Sequence, residues 1–146
     1  MNLDIESQVR RIHASPTKAT VITTGGGVAV LHWLLATSGA SRTILEAIVP
    51  YSRGSLSEFL GYNPRQIVAF RTAQDMARTA YQKAVQLHET KSTVVGIAST
   101  ASITTAVPKQ GSHRCHVSSW TATRSTTYSL RFVKGLRNRE EEDNVV

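Results

Sequence analysis

The sequence predicts an α/β layered domain. Three observations carry this. Short β-branched apolar runs alternate with segments of helical period. Glycine and proline clusters punctuate the joins. One long amphipathic stretch, residues 72–89, precedes three further strand-like runs.

Each element has its own reason. Leu3, Ile5, Val9 and Ile12 recur at helical spacing with charge between them, so residues 2–14 form an amphipathic helix. Pro16 ends it, because proline disfavours helical geometry in its predecessor. Residues 19–23 are apolar and β-branched, as suits a buried strand. Thr24, Gly25, Gly26 and Gly27 make a sharp turn into a buried helix over 28–36, with His32 packed in the core. A second strand covers 45–49, closed by Pro50, Tyr51 and Ser52. A brief helix over 55–60 ends at Gly61. Thr72 caps the long helix and Asp75 completes a box-like pattern. Its apolar stripe is Met76, Ala80, Ala84 and Leu87. Residues 92–98 form a strand that opens into a Ser/Thr-rich loop reaching Pro108. Strands over 115–123 and 127–133 follow, making five, and a helix begins at Asn138. His13 and His88 fall at helix ends or on the surface.

Composition bounds the function. The chain has 146 residues, enough for one domain over 1–146 with an ordinary core. One cysteine, Cys115, excludes an intrachain disulfide and a multi-cysteine zinc site. His113 and Cys115 share a strand face while His116 points away, too few ligands for a metal, so none is expected. No cofactor is implied. The longest apolar stretch is too short to span a bilayer and the start lacks a signal-peptide core, so a soluble cytoplasmic protein is expected.

The net charge is +7, and no acid occurs between Glu89 and Glu140. Such a region draws anions, or is simply a solvated set of strand faces. It matches no nucleic-acid motif and lacks the aromatic interleaving of a single-strand platform, so nucleic acid is not the expected partner. The glycine turn at Gly25 and Gly26 sits where a strand enters a helix, offering backbone donors to an anion or serving as a plain turn. Gly96, Ser99 and Thr100 stand at a strand's C-terminal end, the edge where open α/β sheets bind ligands.

The ordered set Thr23-Thr24-Gly25-Gly26, Ser38-Gly39-Ala40-Ser41, Tyr51-Ser52, Gly96-Ile97-Ala98, Pro108-Lys109-Gln110-Gly111 and Gly135-Leu136-Arg137 resembles the CinA C-terminal domain family. Bacterial members of that family are nicotinamide mononucleotide deamidases. The resemblance implies a three-layer α/β/α domain with a mixed sheet of about five strands. The chain is more similar still to a eukaryotic branch in which this domain precedes a nucleotidyltransferase-like domain. The features are Pro50-Tyr51-Ser52-Arg53, Gly111-Ser112-His113-Arg114 and the run Arg137 to Asp143. That branch implies a longer last helix, so the chain corresponds to one domain of a longer protein. Self-association into a homo-oligomer is implied as well.

The family is thought to use a serine nucleophile with a lysine base. Aligned on Thr-Gly-Gly, the serine position is Ile22; aligned backwards from Ser38-Gly39, it is Thr24 or a neighbour. The lysine position is Leu56, which is no base, and Lys109 is the remaining candidate. The resemblance gives Tyr51 and Ser52 a ring or ribose, and Arg137 and then Arg139 a phosphate. It thus implies a small phosphorylated nucleotide bound with altered catalytic machinery. An amidohydrolase acting through Thr24, and a structural or dimerisation module, are the alternatives.

Overall fold

The computed structural model describes residues 3–89 and 91–146. Its order is α1 (Leu3–Ala14), β1 (Lys18–Thr24), α2 (Ala29–Ala36), α3 (Ala40–Thr43), β2 (Ile44–Ile48), α4 (Arg53–Leu60), α5 (Phe70–Leu87), β3 (Val94–Ser102), β4 (His113–Trp120), β5 (Ser125–Phe132) and α6 (Arg139–Asp143). The expected first helical residue, Asn2, lies outside the described residues.

One mixed sheet runs β2-β1-β3-β4-β5. β1 is parallel to both β2 and β3, while β4 and β5 are antiparallel to their neighbours. The chain therefore leaves β1 toward β2 and later returns on β1's other side at β3. That reversal makes the C-terminal ends of β1 and β3 the switch point at which open α/β sheets place ligands.

The period of two along β1 splits the core into two layers. Ala19 and Val21 face α1 and α2, packing with Val9 and Leu34. Ile22 faces the other way, onto Leu56 of α4 and Met76, Ala77 and Ala80 of α5. The sheet is thus sandwiched between helices, the three-layer arrangement expected. A third cluster of Ala101, Ile103 and Cys115 closes the β3–β4 end, with Val146 and Phe132 against it.

Four local expectations change. The Ser/Thr-rich run after residue 98 begins as strand, not loop: β3 pairs with β1 as far as Thr100 and with β4 as far as Ser102. Gly96 before it is small because α5 rests directly on the strand. A Cβ on Gly96 would stand 2.2 Å from the Ala77 carbonyl oxygen and 2.2 Å from the Tyr81 nitrogen. Thr72 is no cap: α5 starts at Phe70 after Ala69, and the Thr72 hydroxyl donates to the Gln66 carbonyl at 2.5 Å. Asp75 takes hydrogen bonds from Tyr62 and Arg71 instead of the backbone. His32 is exposed, because α2 turns Val30, Leu31 and Leu34 inward and His32 out. His13, at the end of α1, is buried instead: Nε2 donates to the Leu34 carbonyl at 2.9 Å and Nδ1 meets the Thr43 hydroxyl at 2.5 Å. It ties α1 to α2 and α3.

Gly96→Ala should cost about 3 kcal/mol of stability, since backbone on both sides leaves the methyl nowhere to go. Urea unfolding of the variant beside the native chain measures this.

Candidate functional site

The C-terminal ends of the strands collect most of the residues singled out in the sequence. Thr24 ends β1, Tyr51 and Ser52 follow β2, and Ser99 and Thr100 lie near the end of β3. The chain's own groups satisfy nearly all of them. The Thr24 side chain is buried, and its hydroxyl donates to the Pro50 carbonyl at 3.0 Å. Ser52 caps α4, accepting from the Ser55 amide at 3.1 Å. Thr100 donates to the Ile67 carbonyl at 2.8 Å, and Ser99 to the Gly26 carbonyl at 3.5 Å. Gly96 is covered by α5 and faces no cleft. Tyr51 is 62% exposed in the turn after β2.

The glycine turn approaches the chain itself. A Cβ on Gly25, at φ +80, would stand 1.9 Å from the Ala101 carbonyl oxygen. One on Gly27, at φ +82, would stand 2.8 Å from the Val146 side chain. The free N–H groups at the start of α2 are taken too. Gly27 N donates to Asp143 Oδ1 at 2.8 Å, and Ala29 N to Oδ2 at 3.1 Å. The anion expected at this helix start is a side chain of α6. A carboxylate belongs there, because the amide donors and the helix dipole both favour negative charge.

Asp143 is placed by its neighbour. Glu142 is fully buried, accepting from the Thr104 amide at 2.7 Å and lying 3.1 Å from His113 Nδ1. Burial pushes its carboxyl up, but the bonds from His113 and Thr104 outweigh this and hold it below its ordinary value. Asn138 and Glu141 form a capping box that starts α6. Sequence reasoning read the acidic run at 140–143 only as a helix start. The signal for more was the box itself: Asn138 with Glu141 fixes the helix phase and so which carboxylates turn inward.

The basic candidates lie beside α6. Lys109 Nζ donates to the Ile103 carbonyl at 2.6 Å. Burial pushes its ammonium pKa down, and the nearby Arg139 charge pushes it the same way. Arg139 donates to the Thr104 carbonyl at 2.8 Å and borders an open groove of about 840 Å³ with His32, Trp33, Ala29 and Asp143. Arg137 is half-buried, its carbonyl accepting from Thr104. A larger groove, about 980 Å³, lies between Tyr62, Arg65, Arg71 and Arg78. There burial, then the Asp75 hydrogen bond, push the Tyr62 phenol up to about 12.

Ile22 and Leu56 stand apart from this polar set. Both are buried in one apolar cluster beneath α5. Neither can give or take a proton. The segment after α4 is fastened above them. Arg53 holds the Pro64 carbonyl at 3.0 Å, Thr100 holds Ile67, and Arg114 holds the Val68 carbonyl at 3.0 Å. Among the described residues no group of three or more His, Cys, Asp or Glu side chains is placed to hold a metal ion, and no helix is long and apolar enough to cross a membrane.

The architecture defines a class: an α/β domain with the fold of the competence-damage (CinA) superfamily. No family model and no curated protein matches the sequence. Solved structures do match. The competence/damage inducible protein CihA from Agrobacterium tumefaciens superposes with a TM-score of 0.74 at 19% identity, over 99% of this chain and 92% of that one. A CinA superfamily protein from Escherichia coli gives 0.74 at 14% identity, over 97% and 80%. One from Klebsiella pneumoniae gives 0.71 at 15%, over 97% and 88%.

Two outcomes test the α6 contacts. Glu142→Gln should lose about 3 kcal/mol at neutral pH, because it breaks a buried hydrogen-bonded pair. The Glu142 contribution is complete above its ordinary pKa and disappears as pH falls through the lowered folded value. The gap between native and variant in urea titrations should therefore close on acidification below about pH 4. Asp143→Ala should cost about 1 kcal/mol through loss of the α2 cap, also read by urea unfolding.

Proposed function

We propose that this chain is a CinA-type domain that does not perform the deamidation of the bacterial enzymes and acts as a folded module. One observation carries the reading. Ile22, which the alignment on Thr-Gly-Gly sets against the family's serine, and Leu56, set against its lysine, lie in the same buried cluster. Their convergence supports the alignment on Thr-Gly-Gly, and their chemistry removes both nucleophile and base. Thr24 offers no replacement while its proton is held by the Pro50 carbonyl. Activating it would require breaking that bond and bringing a base into a closed site. As a module it fits the role of a structural or self-associating domain beside a linked nucleotidyltransferase-like domain.

A second reading has its own observation. The groove beside α6 joins an exposed imidazole, the Trp33 ring and the Arg139 guanidinium, groups suited to a ring and a phosphate. On this reading the module binds a small phosphorylated nucleotide of the nicotinamide mononucleotide type without turning it over.

The test is ammonia release from nicotinamide mononucleotide. The purified chain should not exceed the enzyme-free rate. Release that vanishes in Thr24→Ala would overturn the proposal and place catalysis on Thr24. For binding, millimolar nicotinamide mononucleotide should raise the unfolding temperature of the native chain but not of Arg139→Ala. No shift in either leaves the module without this ligand.

A further inference from the structure

The two edges of the sheet differ. β2 is a short edge strand of five residues with Glu46 beside Lys83. β5 has eight residues, Ser125–Phe132, with no proline, lysine or acid. Among the described residues nothing pairs with its outer side. An edge this long and unguarded is a template for another strand.

Its two faces have opposite chemistry. Tyr128 lies opposite Val117 and Leu130 opposite Cys115, so both share the apolar face that leads to Val146. They are 69% and 46% exposed. On the other face Arg131 lies directly opposite Arg114, beside the His116–Ser129 hydrogen bond of 2.6 Å. Like charges placed across a strand pair repel each other, and no acid of β4 or β5 relieves them. Arg124 precedes the strand and Lys134 follows it.

We propose that the free edge of β5 docks an extended peptide whose side chains alternate acidic and aliphatic, added to the sheet as a further strand. Main-chain hydrogen bonds supply the pairing. The period of two sends the aliphatic side chains over Tyr128 and Leu130 and the acidic ones beside Arg131. Charge decides against a second copy of this chain. A two-fold pairing of β5 with itself is antiparallel, so it brings Arg124 of one copy toward Arg131 and Lys134 of the other.

The test uses an end-blocked octapeptide alternating glutamate and valine, titrated calorimetrically at low ionic strength, with amide hydrogen exchange as the map. The glutamate peptide should bind and slow exchange across 125–132. A lysine–valine peptide should bind at least tenfold more weakly. Arg131→Glu, with its fold checked by circular dichroism, should reverse that order, which a purely structural arginine would not do. Equal binding of the two peptides, no binding at millimolar concentration, or protection elsewhere would overturn the proposal. So would tighter binding of a uridine octanucleotide on the same amides, or self-association that protects β5 without peptide.

Discussion

Two adjacent carboxylates hold the strand-end region together. Glu142 goes into the interior against His113 and the Thr104 amide, and Asp143 reaches across to the start of α2. The first is costly to bury and is compensated by the Thr104 amide and the His113 ring against its two oxygens. The second needs no such compensation, since it replaces water at a helix start that wants an anion. Together they set α6 against the glycine turn, and α6 brings Val146 onto Ala101 and Cys115. The glycine turn at the end of β1 is therefore packed against α6 and the residues that follow it.

This packing shapes what the site can do. At the strand ends Thr24, Ser52, Ser99 and Thr100 are engaged with carbonyls and amides of the same chain, whereas the buried Thr23 hydroxyl has no partner among the described residues. Beneath them lies an apolar cluster centred on Ile22, Leu56 and Met76. Burying three such side chains stabilises the domain by about 1.5–3 kcal/mol each. A serine and a lysine in the same places would leave a hydroxyl and an ammonium to be solvated or paired. The cluster contributes to folding by fastening α4 and α5 to the sheet.

Most of the architecture was legible because its signals are local. The helical period of Leu3, Ile5 and Val9, the β-branched run before the glycines, and the cap at Asn138 each announce themselves within a few residues. The run 99–102 misled because small hydroxyl residues usually mark loops, whereas here they continue β3, and Gly96 before them admits α5 at Ala77 and Tyr81. His13 and His32 exchanged roles for a similar reason. A helix pattern tells which face is apolar, but not which partner waits beyond its end. Thr24, Ser52 and Thr100 were placed at the strand ends correctly by strand and turn. Their hydrogen bonds run to Pro50, Ser55 and Ile67, and only the folded chain brings Ile67 near Thr100. Asp143 was invisible as a cap because its partner is 116 residues away.

That separation bears on how the domain assembles. The turn at 25–27 packs against Ala101 and Val146 and donates to Asp143, so its native shape is completed by residues made long after it. Joining points so distant costs about 4 kcal/mol of chain entropy before other contacts shorten the loop. Contacts within the sheet and between the sheet and α5 shorten that loop, so α6 docks at lower entropic cost once they are in place. During synthesis the early half of the domain waits with an open glycine turn and an uncapped α2. The latch that finishes it arrives last.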